Sequence, residues 1–280
     1  MNRRRLGCSV FGSSLSGPSF FHSFTHSLMI RNTLFLLLLT ALWSCAESDS
    51  EAASISDSGS GVGGSLARFT IVGGYLFTVD NNNLHSFDIS QASDIRPQES
   101  IFVGQGVETI FPLNGFLFLG TQNGMLIYQI RPGGVPEFVS SYQHVISCDP
   151  VVANNQYAYV TLRASGCRQA VAGAADLLEI IDISNLNNPQ IVASYDMDSP
   201  FGLGLDGQTL FLCEGAGGLK VFDVADPQNI RLLHHLTNLN AIDVIPLGGL
   251  LLAIGPDRIV QLDYSDLSNI RVVSEISIGV

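Results

Sequence analysis

The chain has 280 residues, is 46% hydrophobic and carries 25 acidic against 13 basic residues, a formal net charge of −12. A chain this acidic repels phosphate backbones and contains no basic stripe, so its composition excludes a nucleic-acid-binding protein. Helical periodicity is absent after residue 44, which favours an all-β domain.

Residues 1–44 are typical of an export signal. They contain four arginines and no acidic residue, followed by the apolar run Leu34–Leu39. That run is too short to span a bilayer core of ~30 Å, and basic, apolar and small residues in this order indicate a secretory signal. The segment from Met29 is already a complete signal, so we expect translation to begin there. Removal of residues 1–44 leaves 9 basic and 25 acidic residues, a net charge of −16.

The end of this signal, Leu42-Trp43-Ser44-Cys45, resembles the lipobox of bacterial lipoproteins. The resemblance implies a diacylated Cys45 as the first mature residue, although Trp43 is larger than usual at its position. The alternative is an ordinary signal that happens to precede a cysteine. Several acyl chains give stable anchoring, so the membrane is expected as a partner through this anchor only. Ala46, which follows the cysteine where inner-membrane proteins have aspartate, favours the outer membrane of the bacterial cell envelope, facing the periplasm or the surface.

The segment 45–64 is rich in glycine, serine and acidic residues and has no periodicity. This composition predicts a flexible tether between the lipid and the folded part. The remaining segment, 65–280, has the length of one all-β domain.

A repeat runs through this domain. Short apolar strands begin at five positions spaced 41, 41, 52 and 41 residues apart, namely Tyr75, Phe116, Tyr157, Thr209 and Leu250. The longer interval contains an insertion at Ala164–Asp176. Each unit has four short strands separated by turn residues, which is typical of a propeller blade. We therefore predict a closed β-propeller of five four-stranded blades at 66–102, 107–142, 149–195, 201–237 and 241–279.

Two stretches, Leu178–Ser184 and Leu219–Val224, with the turns that follow them, resemble the LVIVD repeat family of bacterial secreted propellers. The resemblance implies the fold and an exported location. It implies no activity, because that family has none in common.

Aspartates recur at one place in four repeats, Asp88, Asp182, Asp223 and Asp263. We interpret them as turn residues that bond their own backbone and not as metal ligands, because equivalent residues of separate blades lie far apart around a ring. The pair His234-His235 lies within a strand, where successive side chains point to opposite faces. No metal and no cofactor is therefore expected.

The start of each first strand and the end of each second strand emerge on the same face of the ring, around the mouth of its channel. Convergent polar groups in a concavity are candidates for ligand binding. The candidates at this mouth are Arg68, Glu108, Asp149, Arg163, Glu214 and Asp243.

We prefer a non-catalytic role, in which this face binds a protein or glycan partner in the cell envelope. The alternative is an envelope glycoside hydrolase or other hydrolase that uses the mouth carboxylates, which would need to lie ~5–9.5 Å apart. Sugar-binding sites usually contain aromatic side chains for stacking, and Phe201 is the only aromatic residue that we expect to line the mouth of the propeller.

The last expectation is a disulfide between Cys148 and Cys167. Disulfides persist in the envelope, and strand direction places both cysteines on the mouth face of the third blade. The alternative is that these two and Cys213 are free buried thiols.

Overall fold

The computed structural model describes residues 63–144, 150–164 and 175–279, and the regular structure in these ranges is entirely β-strand. The strands form five four-stranded sheets, each antiparallel and in chain order. The five sheets are the blades of a ring, so the predicted five-bladed all-β propeller is confirmed.

Blade 1 consists of β1 (Phe69–Val72), β2 (Tyr75–Val79), β3 (Asn83–Asp88) and β4 (Arg96–Phe102), and blade 2 of β5 (Val107–Leu113), β6 (Phe116–Thr121), β7 (Gly124–Arg131) and β8 (Val135–Gln143). Blade 3 consists of β9 (Val151–Ala153), β10 (Tyr157–Leu162), β11 (Leu177–Asp182) and β12 (Gln190–Asp196). Blade 4 consists of β13 (Leu203–Asp206), β14 (Thr209–Cys213), β15 (Leu219–Asp223) and β16 (Arg231–Leu236), and blade 5 of β17 (Asp243–Pro246), β18 (Leu250–Ile254), β19 (Arg258–Asp263) and β20 (Arg271–Ser277).

The tight turns follow local sequence. Asn114 and Gly115, between β5 and β6, have φ angles of 49° and 79°, as a two-residue hairpin turn of type I′ requires. The four recurrent aspartates accept backbone hydrogen bonds at the turns after the third strands of blades 1, 3, 4 and 5, as predicted. Oδ1 of Asp182, for example, accepts a hydrogen bond from the backbone N–H of Ser184 at 2.8 Å. Bonds from the Ser184 hydroxyl and from its backbone N–H hold the pKa of the Asp182 carboxyl below its usual value.

Among the described residues, apolar side chains of neighbouring blades form four buried clusters, which lie between blades 1 and 2, 2 and 3, 3 and 4, and 4 and 5. One position of the innermost strand faces the preceding blade in each case, and its occupants are Ile110, Val151, Leu203 and Val244. These four side chains are at most 1% exposed. The equivalent residue of blade 1 is Phe69, which is 61% exposed. At the junction of blades 5 and 1, this position of the innermost strand therefore does not contribute a buried apolar side chain, unlike at the other four junctions.

Candidate functional site

A short segment before β1 closes the mouth of the ring at the junction of blades 5 and 1. The Ser65 hydroxyl donates a hydrogen bond to Asp243 Oδ1 at 3.1 Å and accepts one from the backbone N–H of Leu203 at 2.7 Å. The carbonyl of Ala67 accepts a bond at 2.9 Å from the backbone N–H of Ile110 in blade 2. This segment, Gly64–Arg68, thus connects four blades at the mouth, and we call it the closing segment.

Asp243 is the main anchor of the closing segment. Its carboxylate also accepts bonds from the backbone N–H groups of Leu66 at 3.3 Å and Val244 at 3.0 Å. The residue is only 7% exposed, because Gly64 and Gly202 pack directly on the carboxylate and leave no room for a side chain at either position. Burial raises the pKa of Asp243 to about 6, although the hydrogen bonds work in the opposite direction.

Glu214 is buried as an ion pair with Lys220. Its Oε1 lies 2.7 Å from Lys220 Nζ and accepts a bond at 2.9 Å from the backbone N–H of Asp198. The Glu214 side chain is 1% exposed and that of Lys220 is 13% exposed. A carboxylate held in this way is already paired within the protein.

Arg163 stacks on an aromatic ring at the mouth. Its guanidinium carbon lies 4.1 Å from the centroid of the Phe201 ring, a favourable cation–π distance. Desolvation lowers the pKa of Arg163, while the carboxylates of Asp176 and Glu108 raise it. Arg163 is thus a half-buried cation set between an aromatic ring and two acidic groups.

Asp176 fixes the base of the insertion that follows Arg163. Its Oδ1 accepts a bond from the backbone N–H of Ala164 at 2.7 Å and its Oδ2 one from Ser199 at 3.0 Å. The carboxylate therefore joins the two ends of the insertion to the chain that enters blade 4.

Arg68 and Glu108 are the more accessible of the predicted mouth residues. Arg68 is exposed and its Nη2 donates to the carbonyl of Val107 at 3.0 Å. Glu108 is half-buried and accepts a bond from Gln122 Nε2 at 3.2 Å. Both side chains keep hydrogen-bonding capacity for a partner.

The structure thus separates the predicted mouth residues into two groups. Asp243 and Glu214 serve the fold, whereas Arg68, Glu108 and Arg163 lie where a partner could reach them. Asp149 lies outside the described residues. Within the described ranges no group of three or more potential metal ligands occurs, and no helix there is long and apolar enough to cross a bilayer.

Sequence reasoning missed Ser65, Lys220 and Asp176. Lys220 could have been found, because it is the only lysine of the chain and alternates with apolar residues inside a strand. Ser65 and Asp176 carry no such signal, since their roles depend on contacts with distant segments.

The cysteine predictions fall largely outside the described residues, which include neither Cys45 nor Cys148 nor Cys167. Cys213 is free and fully buried. Burial, and secondarily the nearby Asp243 charge, raise the pKa of its thiol well above the usual value, so this cysteine is unreactive at neutral pH.

Comparison with known families matches the LVIVD repeat to residues 63–100 and 171–197. These ranges cover blade 1 and the second half of blade 3, and they confirm the predicted resemblance. Among curated proteins, none matches the sequence significantly.

Solved structures share the fold. The periplasmic gluconolactonase PpgL of Pseudomonas aeruginosa is 14% identical, with 74% of this chain and 68% of that chain covered and a TM-score of 0.56. A functionally unknown protein of Desulfotomaculum acetoxidans is 12% identical over 74% and 68%, with a TM-score of 0.57. A protein of Lactobacillus plantarum is 10% identical over 74% and 69%, with a TM-score of 0.58. At these identities the likeness concerns the fold alone.

Proposed function

We propose that this protein is a lipoprotein of the bacterial cell envelope whose propeller binds a partner at its mouth face without catalysing a reaction. The observation that carries the proposal is the sequestration of Asp243 and Glu214, whose contacts with Ser65 and Lys220 stabilise the fold. Hydrolysis by paired carboxylates needs an acid and a base that both reach the substrate. Neither of these two groups is placed to do so.

The groups that remain at the mouth suit recognition. Arg163 is held over Phe201 and is partly desolvated, and buried arginines and aromatic residues dominate the energetics of protein interfaces. One face of the Phe201 ring is covered by Arg163, which leaves a poor platform for stacking a sugar. Between a glycan and a protein, these features favour a protein partner with a polar or acidic loop.

The anchor and the location belong to the same proposal. The lipobox-like segment would place acyl chains on Cys45, and the predicted tether 45–64 would hold the propeller close to the outer membrane. An LVIVD match and a fold shared with a periplasmic protein agree with an envelope location. Mass spectrometry of the membrane fraction should find a diacylated peptide that begins at Cys45, and a Cys45→Ser protein that stays membrane-bound would contradict the anchor.

The binding proposal is tested by affinity capture from envelope fractions with the purified protein. Wild type and Arg271→Ala should retain the same partner, because Arg271 pairs with Asp263 at the opposite end of blade 5. Arg163→Ala should lose it at least ~10-fold, the change expected for an interface hot spot. Retention by all three proteins would contradict a role for the mouth.

The hydrolase alternative is tested separately with panels of polysaccharides and sugar lactones. Turnover by the wild-type protein that is abolished in Asp149→Asn would overturn the non-catalytic proposal. Absence of turnover, together with Arg163-dependent capture, is the expected result.

A further inference from the structure

Aromatic side chains fill three of the four apolar grooves between consecutive blades at their outer strands. Tyr142 of β8 donates its hydroxyl to Glu179 Oε2 of blade 3 at 3.1 Å. Tyr195 of β12 donates to the carbonyl of Pro227 in blade 4 at 2.8 Å. The groove between blades 1 and 2 is filled from the other side by Tyr128 and Phe138, whose rings make an edge contact at 5.5 Å.

The groove between blades 4 and 5 has smaller residues at all of these positions. Strand register makes Leu236 the equivalent of Tyr142 and Tyr195. It likewise makes Leu262 and Val272 the equivalents of Tyr128 and Phe138. The buried cluster between these blades contains Phe211 and Tyr264, whose ring centroids lie 4.8 Å apart, but neither ring lines the cavity described next.

A cavity of about 300 Å³ occupies the position that the rings fill elsewhere. Its apolar lining comes from residues of both blades, Leu236, Leu239, Val260, Leu262, Ile270 and Val272. Val260 and Leu262 are 2% and 3% exposed, so the floor is part of the core. We call this cavity the vacant aromatic slot.

The rim of the slot is polar. Arg258 Nη1 lies 3.2 Å from Glu275 Oε1, and Arg258 Nε lies 3.6 Å from Asp257 Oδ1. His235 Nε2 contacts the carbonyl of Gly217 at 2.8 Å, so this nitrogen is the donor and Nδ1 of the neutral ring is an acceptor. One cation beside two carboxylates disfavours an anionic ligand, whereas the carboxylate and imidazole acceptors suit a hydroxyl donor.

We propose that the vacant aromatic slot binds an uncharged para-substituted phenol ring, the same group that Tyr142 and Tyr195 place in the neighbouring grooves. The ring would lie on Val260 and Leu262, and its hydroxyl would donate to an acceptor of the rim. The phenol comes either from a free small molecule or from the tyrosine side chain of a peptide. This site lies in the outer groove between blades and is separate from the mouth residues Arg163 and Phe201.

The proposal is tested by titrating the purified protein with p-cresol while the methyl signals of Leu262 and Val272 are followed by NMR. We expect saturable shifts with a dissociation constant on the order of 1 mM or tighter, a strength within reach of a ligand of this size. No saturable shift of these methyl groups would overturn the proposal. Equal binding of 4-methylcyclohexanol would also overturn it, since the slot would then be merely apolar.

Variants place the binding in the slot. Leu236→Tyr introduces the missing ring and should weaken p-cresol binding at least ~10-fold, about the effect of losing one well-packed contact group. Leu232→Tyr is the matched control, because Leu232 lies on the same strand, is 52% exposed and does not line the slot. It should bind as the wild type does, whereas equal binding by Leu236→Tyr would contradict the assignment.

A second variant tests the site independently, in case Leu236→Tyr does not fold. Val272→Trp closes the slot from a side chain that is 60% exposed and should also prevent binding. Unchanged binding in this variant would refute the site. N-acetyl-tyrosinamide separates the two sources: affinity equal to that of p-cresol supports a peptide tyrosine, and its exclusion supports a free phenol.

Discussion

Ser65 and Asp243, which are 178 residues apart in the chain, are joined by a buried hydrogen bond at the mouth of the propeller. The bond fastens the segment that enters blade 1 to the inner strand of blade 5. Because Phe69 is largely exposed at the junction of blades 5 and 1, the ring is held there by this polar contact, whereas the other four junctions each bury an apolar cluster.

The first prediction concerns the pH dependence of this contact. The folded-state pKa of Asp243, about 6, lies above its ordinary value of 3.8, so protonation favours the folded state. The stabilisation is fully present below pH ~3.8 and is lost as pH rises through about 6, by roughly 3 kcal/mol at most. The free energy of unfolding, measured by urea titration between about pH 4 and 7, should therefore fall with pH relative to Asp243→Asn. If the free energy of unfolding of the wild type, relative to that of Asp243→Asn, stayed constant or rose with pH, the buried state of Asp243 would be contradicted.

The second prediction concerns the ion pair of Glu214 and Lys220. Lys220→Met leaves a buried carboxylate without its cation and should lower the free energy of unfolding by about 3–5 kcal/mol. The double variant Glu214→Gln/Lys220→Met removes both charges and should recover most of that loss. Thermal unfolding of the two proteins decides the point, and equal losses would show that Glu214 is not held as a buried charge.

The third prediction compares one position in two blades. Ile110→Ala should cost about 2–5 kcal/mol, because Ile110 is 1% exposed in a packed cluster. Phe69→Ala should cost less than about 1 kcal/mol, because Phe69 is 61% exposed. Urea unfolding of both variants measures the difference. Equal costs would mean that the junction of blades 5 and 1 buries a core like the other four.

The fourth prediction concerns the vacant aromatic slot. Leu236→Tyr should raise the free energy of unfolding by ~0.5–2 kcal/mol, the usual gain from filling a cavity. Leu232→Tyr should leave stability unchanged, because Leu232 is 52% exposed and does not line the slot. Destabilisation by Leu236→Tyr alone would show that the groove cannot accept a ring.

The fifth prediction is the disulfide between Cys148 and Cys167. It would close a loop of 18 intervening residues and stabilise the protein by about 3 kcal/mol in the chain-entropy model. Peptide mapping without reductant should recover the linked peptides. A Cys148–Cys213 linkage is the contrary outcome, and it would also conflict with the free, buried Cys213.

The fold could be predicted because every blade repeats the same local pattern. Three of the four strand spacings are 41 residues, and four of the five repeats have an aspartate before the outer turn; both features have the expected role in the structure. The predicted blade bounds come within a few residues of the strands, although β1 begins at Phe69 and not at Leu66. Leu66 belongs instead to the closing segment, which has no counterpart in the other repeats.

The site was harder to predict, because side-chain partners depend on contacts that a repeat pattern does not contain. Glu214 and Asp243 were among the predicted mouth residues, yet the sequence gave no indication that Lys220 and Ser65 would bind them. It also did not reveal the vacant aromatic slot. A leucine such as Leu236 is ordinary in a strand, and it becomes informative only when strand register shows that the equivalent residues of other blades are Tyr142 and Tyr195.

The most direct test of the central claim is photo-crosslinking in living cells from a probe at the mouth. A benzophenone amino acid replaces Leu66, which is 38% exposed in the closing segment, and in a control it replaces Phe138, which is 54% exposed at the outer edge of blade 2. We expect one discrete envelope-protein adduct from position 66 that disappears when Arg163→Ala is added, and no such adduct from position 138. The same adducts from both positions, or no adduct from position 66, would contradict recognition of a partner at the mouth.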